Sequence, residues 1–125
     1  MKLLKERSGF TLIEILIATV IITIASLGIV SLTVGVMRGN SLSKRMTAAT
    51  TLVQDRLEEV KRLGYSSVGT VAGTQNYGTI ANFSGYKRVV SVSDNIPAAN
   101  MKTIDVTVYW DTDKHSVKAS TILSE

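Results

Sequence analysis

One acidic residue stands at the edge of a long apolar stretch, and it is the first place where this chain could do chemistry. Glu14 is followed by about 23 positions, Ile15 to Met37, that contain no charged residue and no proline. A carboxylate at the middle of a membrane costs about 2.5–3.5 kcal/mol, and an ionisable residue within a span is a candidate functional site. The alternative is that Glu14 lies near the membrane interface and only marks the start of the span. Position alone leaves both interpretations open.

The remaining polar residues form no pattern that is typical of an enzyme. His115 is the single histidine and there is no cysteine, so a zinc site is not expected. Asp111 and Asp113 have a spacing suited to calcium, but the later ligands of an EF-hand do not follow them. The sequence also contains no glycine-rich motif for binding phosphates. We therefore predict a protein without catalytic residues, metal or cofactor.

The charge balance gives little support for nucleic-acid binding. The formal net charge is +4, and the first nine residues carry about half of it through Lys2, Lys5 and Arg7 against Glu6. Lys87 and Arg88 lie beside Tyr86, but two positive charges are too few for a phosphate-binding surface. Nucleic acid is therefore not an expected partner.

The apolar stretch from Ile15 to Met37 is long enough to cross a bilayer. About 20 apolar residues span the hydrocarbon core as a helix, and a helix is the only state in which a lone segment satisfies its own backbone hydrogen bonds in lipid. The basic leader resembles the start of a secretory signal, but no small-x-small cleavage site follows the apolar core. The candidate cleavage position precedes the apolar stretch, at Gly9.

The segment Gly9-Phe10-Thr11-Leu12-Ile13-Glu14 resembles the class III signal of the type IV pilins and pseudopilins letter for letter. The resemblance covers the first 40 or so residues closely and the remainder by layout. It implies that a membrane-embedded prepilin peptidase cleaves between Gly9 and Phe10 and methylates the new amine of Phe10. It also implies that Glu14, the fifth residue of the mature chain, pairs with the terminal amine of a neighbouring subunit. Glycine suits a cleavage site because a residue without Cβ lets a protease approach the backbone; a flexible joint is the alternative.

The same resemblance predicts where the protein is found and what it contacts. Before assembly it would be a single-pass protein of the bacterial inner membrane, and afterwards part of an extracellular or periplasmic filament. The expected partners are prepilin peptidase, other pilin subunits, the inner-membrane assembly platform and the lipid bilayer. The cytoplasmic position of the N-terminus rests on the resemblance, because basic residues on both sides of the span nearly cancel the positive-inside bias.

An amphipathic helix is predicted after the span. Apolar residues recur at spacings of three and four, which is typical of one buried helix face; they are Leu42, Met46, Ala49, Val53, Leu57 and Val60. Charged residues occupy the other side, and Gly64 is the expected C-cap. Residues 65–85 are rich in Gly, Ser, Thr and Asn and predict a long connecting loop, with a short strand near 75–80 as one option.

Three strands are predicted in the last third of the chain. Their ranges are Tyr86–Ser93, Thr103–Trp110 and Ser116–Leu123, and residues 111–114 form the hairpin turn between the last two. A small sheet must cover one of its faces, and the amphipathic helix is the available partner, with Trp110 as a core residue. We therefore predict an α+β fold in which a long N-terminal helix packs on a three-stranded antiparallel sheet, as in pilins.

These elements predict four segments: a leader at 1–9, a transmembrane and assembly helix at 10–37, an amphipathic helix at 38–64 and a small globular domain at 65–125. Residues 52–59 and 106–110, with the hairpin that follows, look most like PilV-type minor pilins. The absence of cysteine argues mildly against the major pilins, many of which close a C-terminal loop with a disulfide. The alternatives are a minor pseudopilin of a type II secretion system and an unprocessed single-pass anchor that displays a binding module.

Overall fold

The computed structural model describes residues 9–125, so most of the predicted leader lies outside the described residues. The chain divides into two compact units, one ending at Ser41 and the other covering Leu42–Glu125. The elements are the helix α1 (Leu12–Ser67), a 3-10 helix (Val68–Val71) and the strands β1 (Gly73–Gln75), β2 (Tyr86–Asp94), β3 (Met101–Trp110) and β4 (His115–Ser124). The α+β class predicted from the sequence is confirmed.

In the first unit, α1 presents apolar side chains on all sides. The large hydrophobic residues from Leu12 to Met37 are all between 42% and 85% exposed. A helix with this pattern is typical of a segment that is buried in a lipid bilayer or among other helices. By length and composition, α1 is able to cross a membrane, with a mean hydropathy of 2.6 over its most apolar window.

In the second unit, an antiparallel sheet in the order β1-β2-β3-β4 packs on the second part of α1. Most sheet residues of the core come from alternate positions of β3, as expected for a strand with one covered face; they are Ile104, Val106, Val108 and Trp110, and β2 adds Val90. The helix contributes Ala49, Leu52, Val53 and Val60. Trp110 is 4% exposed, which confirms its predicted place in the core.

The three predicted strands are confirmed with small differences at their ends, but the predicted strand count is wrong. A fourth strand, β1, lies within the segment that was predicted as a loop, and it pairs with β2 through Gly73↔Val90 and Gln75↔Arg88. Three residues of the composition Gly-Thr-Gln carry no strand pattern of their own. These three residues form a strand because they pair with the edge of β2.

The predicted helix stripe is correct only in its second half. Ala49, Val53 and Val60 are buried, whereas Leu42 and Met46 are 46% and 54% exposed. The core begins at Ala49, so these two residues precede the part of the helix that the sheet covers. Gly64 leaves the helical conformation with φ 73°, and three further helical residues follow it before α1 ends at Ser67.

Candidate functional site

The residues predicted for processing lie immediately before α1. Gly9 and Phe10 are exposed and outside any helix or strand, and the Phe10 side chain is 78% exposed. The peptide bond between them is therefore in non-helical backbone. A peptidase needs access to a backbone that is not already folded into helical hydrogen bonds, and this stretch meets that requirement.

Thr11 determines where the helix begins. Its carbonyl oxygen accepts hydrogen bonds from the backbone N–H groups of Glu14 (3.0 Å) and Ile15 (3.2 Å), and its Oγ1 accepts a further bond from the Glu14 N–H at 3.3 Å. This is N-cap geometry, in which a threonine hydroxyl satisfies a free N–H of the first turn. The pattern Thr-x-x-Glu at positions 11 to 14 is the sequence signal of a capping box. This capping role of Thr11 is additional to the roles predicted for Gly9, Phe10 and Glu14.

Glu14 lies in the first turn of α1 and is exposed. A negative charge here is favoured by the positive end of the helix dipole. Within residues 9–125, its carboxylate takes part in none of the four ion pairs, all of which lie in the second unit. Glu14 thus combines an apolar neighbourhood with a charge that has no cationic partner among the described residues.

Four of the five hydroxyl side chains between Ile15 and Met37 are satisfied by the helix itself. Hydroxyl groups donate to carbonyl oxygens three or four residues earlier, at distances of 2.7–2.9 Å, in Thr19, Thr23, Ser26 and Thr33. Such bonds let serine and threonine enter lipid without an unmet polar group. The contrast identifies Glu14 as the residue of this segment that needs a partner from outside the helix.

The second unit contains a charged and aromatic cluster that fixes the connection between β1 and β2. Lys87 Nζ lies 2.5 Å from Asp113 Oδ2 and 4.8 Å from the ring centre of Tyr109. The Tyr77 hydroxyl donates to Asp113 Oδ1 at 3.0 Å. Asp113 of the β3–β4 turn therefore binds both Tyr77 of the predicted loop and Lys87 at the start of β2.

Hydrogen bonds shift the pKa of two carboxyl groups in this unit. The Lys87 ammonium holds the pKa of Asp113 below its ordinary value of 3.8, and Ser120 and Lys118 do the same for Asp105. In the other direction, Asp113 raises the pKa of Lys87. The charged forms of all three groups are thus the ones that the fold favours.

We expect acid to destabilise the second unit through Asp105 and Asp113. A depressed folded-state pKa gives stability that is complete above the unfolded value and is lost as the pH falls through the folded value. The Tm should therefore decline below about pH 4, by a small amount because Asp113 is exposed to solvent and Asp105 is partly exposed. In the D105N/D113N variant, the Tm measured by thermal unfolding should decline less over the same pH range. Lys87→Gln, which removes the partner of Asp113 and keeps its carboxyl, should also weaken the decline in Tm. If the Tm of both variants falls with acid as steeply as that of the wild type, this assignment is wrong.

His115 and the acidic turn show no metal-binding arrangement. His115 is exposed and stacks on the Trp110 ring with centroids 5.6 Å apart. Among residues 9–125, no group of three or more His, Cys, Asp or Glu side chains is placed to hold a metal ion. Asp111 and Asp113 instead occupy left-handed backbone positions of the β3–β4 turn, with φ 56° and 66°.

Comparison with known families returned one match. Residues 4–30 match the family described as the prokaryotic N-terminal methylation motif, a range that contains Gly9, Phe10, Thr11 and Glu14. No curated protein and no solved structure matches the chain significantly. The match supports a type IV pilin-like prepilin signal, a substrate of prepilin peptidase, and points to a structural subunit rather than an enzyme. The apolar helix that follows is consistent with a membrane-anchored pilin.

Proposed function

We propose that the protein is a structural subunit of a type IV pilus-like filament, of the minor pilin class. One observation carries the proposal: the methylation motif at residues 4–30 extends into the first part of α1, where the large apolar residues from Leu12 to Met37 are all exposed. A helix of this kind needs lipid before assembly and other helices afterwards. A filament that grows from a membrane supplies both.

The proposed processing step is cleavage between Gly9 and Phe10, followed by methylation of the new Phe10 amine. The exposed, non-helical backbone at this bond supports it. The Thr11 cap also supports it, because a helix that begins at Leu12 leaves the cleaved bond outside the helical hydrogen bonds. The peptidase would therefore not have to unwind α1.

The proposed assembly step is the pairing of Glu14 with the Phe10 amine of a neighbouring subunit. A buried carboxylate requires a cationic partner, and removing one member of such a pair costs about 3–5 kcal/mol. Cleavage creates a cation at the level of the membrane where Glu14 needs one. Pairing between subunits would then make an uncleaved chain a poor substrate for assembly.

Intact mass measurement of the protein, isolated from a host that has the peptidase, tests the processing step. We expect the loss of residues 1–9 and the gain of one methyl group on Phe10. The same protein from a host without the peptidase should keep its full length. A full-length mass in both hosts would contradict the proposal and favour an unprocessed single-pass anchor with a binding module. A minor pseudopilin would be processed identically, and a secretion assay on a deletion strain separates it from a minor pilin.

A further inference from the structure

A small pocket in the second unit lies between two arginines that the proposed function does not use. It has a volume of about 140 Å³ and is lined by Arg56 of α1, Arg88 and Val90 of β2, and residues 70–75 around β1. No acidic side chain lines it. Two guanidinium groups that face one small space repel each other unless an anion lies between them.

The two arginines are paired differently. Arg56 Nη1 forms an ion pair with Glu59 Oε2 at 2.6 Å. Arg88 bonds only to neutral acceptors: its Nε and Nη2 both donate to Gln75 Oε1, the former at 2.8 Å, and its Nη1 lies 3.4 Å from the Leu52 carbonyl oxygen. One positive charge, that of Arg88, therefore remains without a carboxylate partner among the described residues.

The contact between Gln75 and Arg88 has the form of an incomplete carboxylate site. A guanidinium group binds a carboxylate through two parallel N–H···O bonds, one to each oxygen. Here a single amide oxygen accepts both donors, and it is neutral. A carboxylate in the same place would add the second oxygen and the negative charge.

Two further observations favour an anion-binding role for the two arginines. The Arg56 Nε atom is buried and has no hydrogen-bond partner, although buried donors in folded proteins nearly always have one. Burial, and then the charge of Arg56, lower the pKa of Arg88, while Glu59 and Asp55 act in the opposite direction. A bound anion would offset the repulsion between the two guanidinium groups.

We propose that the pocket between Arg56 and Arg88 binds the carboxylate of an acidic side chain on a partner protein. The charges favour a carboxylate over phosphate, because Glu59 already neutralises Arg56 and a doubly charged anion would exceed the one charge left on Arg88. In a filament, the partner would be an adjacent subunit, and this last point rests on the proposed function.

Thermal unfolding of the full chain in detergent micelles, followed through the fluorescence of its single tryptophan, tests the pocket. The probe is glutamate with its amine acetylated and its backbone carboxyl amidated, so that one side-chain carboxylate remains. We expect a saturable rise in Tm, on the order of 5 °C at ten times the Kd. The neutral glutamine analogue and sodium chloride at equal ionic strength should give no such rise.

Variants of the pocket distinguish its occupation from a general salt effect. Arg88→Gln should lose the response to the probe, whereas Lys61→Gln, which removes the same charge from the exposed face of α1, should keep it. Gln75→Glu places a carboxylate against Arg88 within the chain, so its Tm without probe should rise and its response should disappear. This variant keeps the proposal testable if Arg88→Gln fails to fold.

Three results would overturn the proposal: an equal rise with chloride, a rise with inorganic phosphate but not with the probe, or a Gln75→Glu variant that is less stable and still responds. All of these measurements use unassembled protein, so they do not depend on cleavage or polymerisation. If the Tm does not respond to the probe, the mass measurement at Gly9–Phe10 still tests the proposed function. If that mass shows no cleavage, the Tm measurement still tests the pocket.

Discussion

Gly9→Val is expected to abolish processing and to leave the protein at full length in the membrane. A β-branched side chain next to the cleaved bond would occupy the space through which the peptidase approaches the backbone. We expect at least a hundredfold lower cleavage, measured as the ratio of mature to full-length protein by immunoblot and intact mass. The variant should still insert, because the apolar helix that starts at Leu12 is unchanged.

Gly39→Val is the matched control for this experiment. Gly39 lies in α1, where an added Cβ would meet no atom within 4 Å, and it is far from the cleaved bond in sequence. Its maturation should equal that of the wild type. If Gly9→Val matures normally, the assignment of the cleavage site is wrong, whatever the control shows.

Glu14→Val should mature and insert normally but fail to enter a filament. The variant removes the only acidic residue of the apolar segment, so the Phe10 amine of a neighbour would lose its partner in a low-dielectric environment. A loss of about 3–5 kcal/mol corresponds to a decrease of a hundredfold or more in incorporation, since each 1.4 kcal/mol is tenfold. Sheared filaments probed with an antibody against this subunit, normalised to the membrane-bound amount, give the measurement.

Two further variants distinguish the effect of the Glu14 charge on assembly from the effect of the helix cap at Thr11. Glu14→Gln removes the charge but keeps a polar side chain in the first turn, so it should fail in the same way. Thr11→Ala removes the hydroxyl cap at the cost of about 1 kcal/mol and keeps the carboxylate, so its assembly defect should be much smaller. Wild-type incorporation of both Glu14 variants would rule out the pairing role.

Much of the fold could be predicted because it depends on local patterns. The alternation of apolar and polar residues in β3 predicts both its strand and its buried face, and residues 111–114 predict the turn that follows. The sequence predicts β1 only as an optional short strand near 75–80, because the residues 73–75 that form it acquire strand geometry from the edge of β2. Leu42 and Met46 were assigned to the core because helical periodicity says which face is apolar but not how far the sheet extends along it.

The two candidate sites also differ in whether they depend on local patterns or on contacts between distant parts of the chain. The proposed N-terminal site can be derived from sequence alone: Gly9, Phe10, Thr11 and Glu14 lie within six consecutive residues, and capping and apolar continuity act over one or two helical turns. The arginine pocket depends on the fold, because Arg56, Gln75 and Arg88 lie at least 13 positions apart in the chain and come from a helix and two strands. The spacing of residues along the chain can be read from the sequence. Contacts between side chains that are distant in the chain depend on how the sheet packs on the helix.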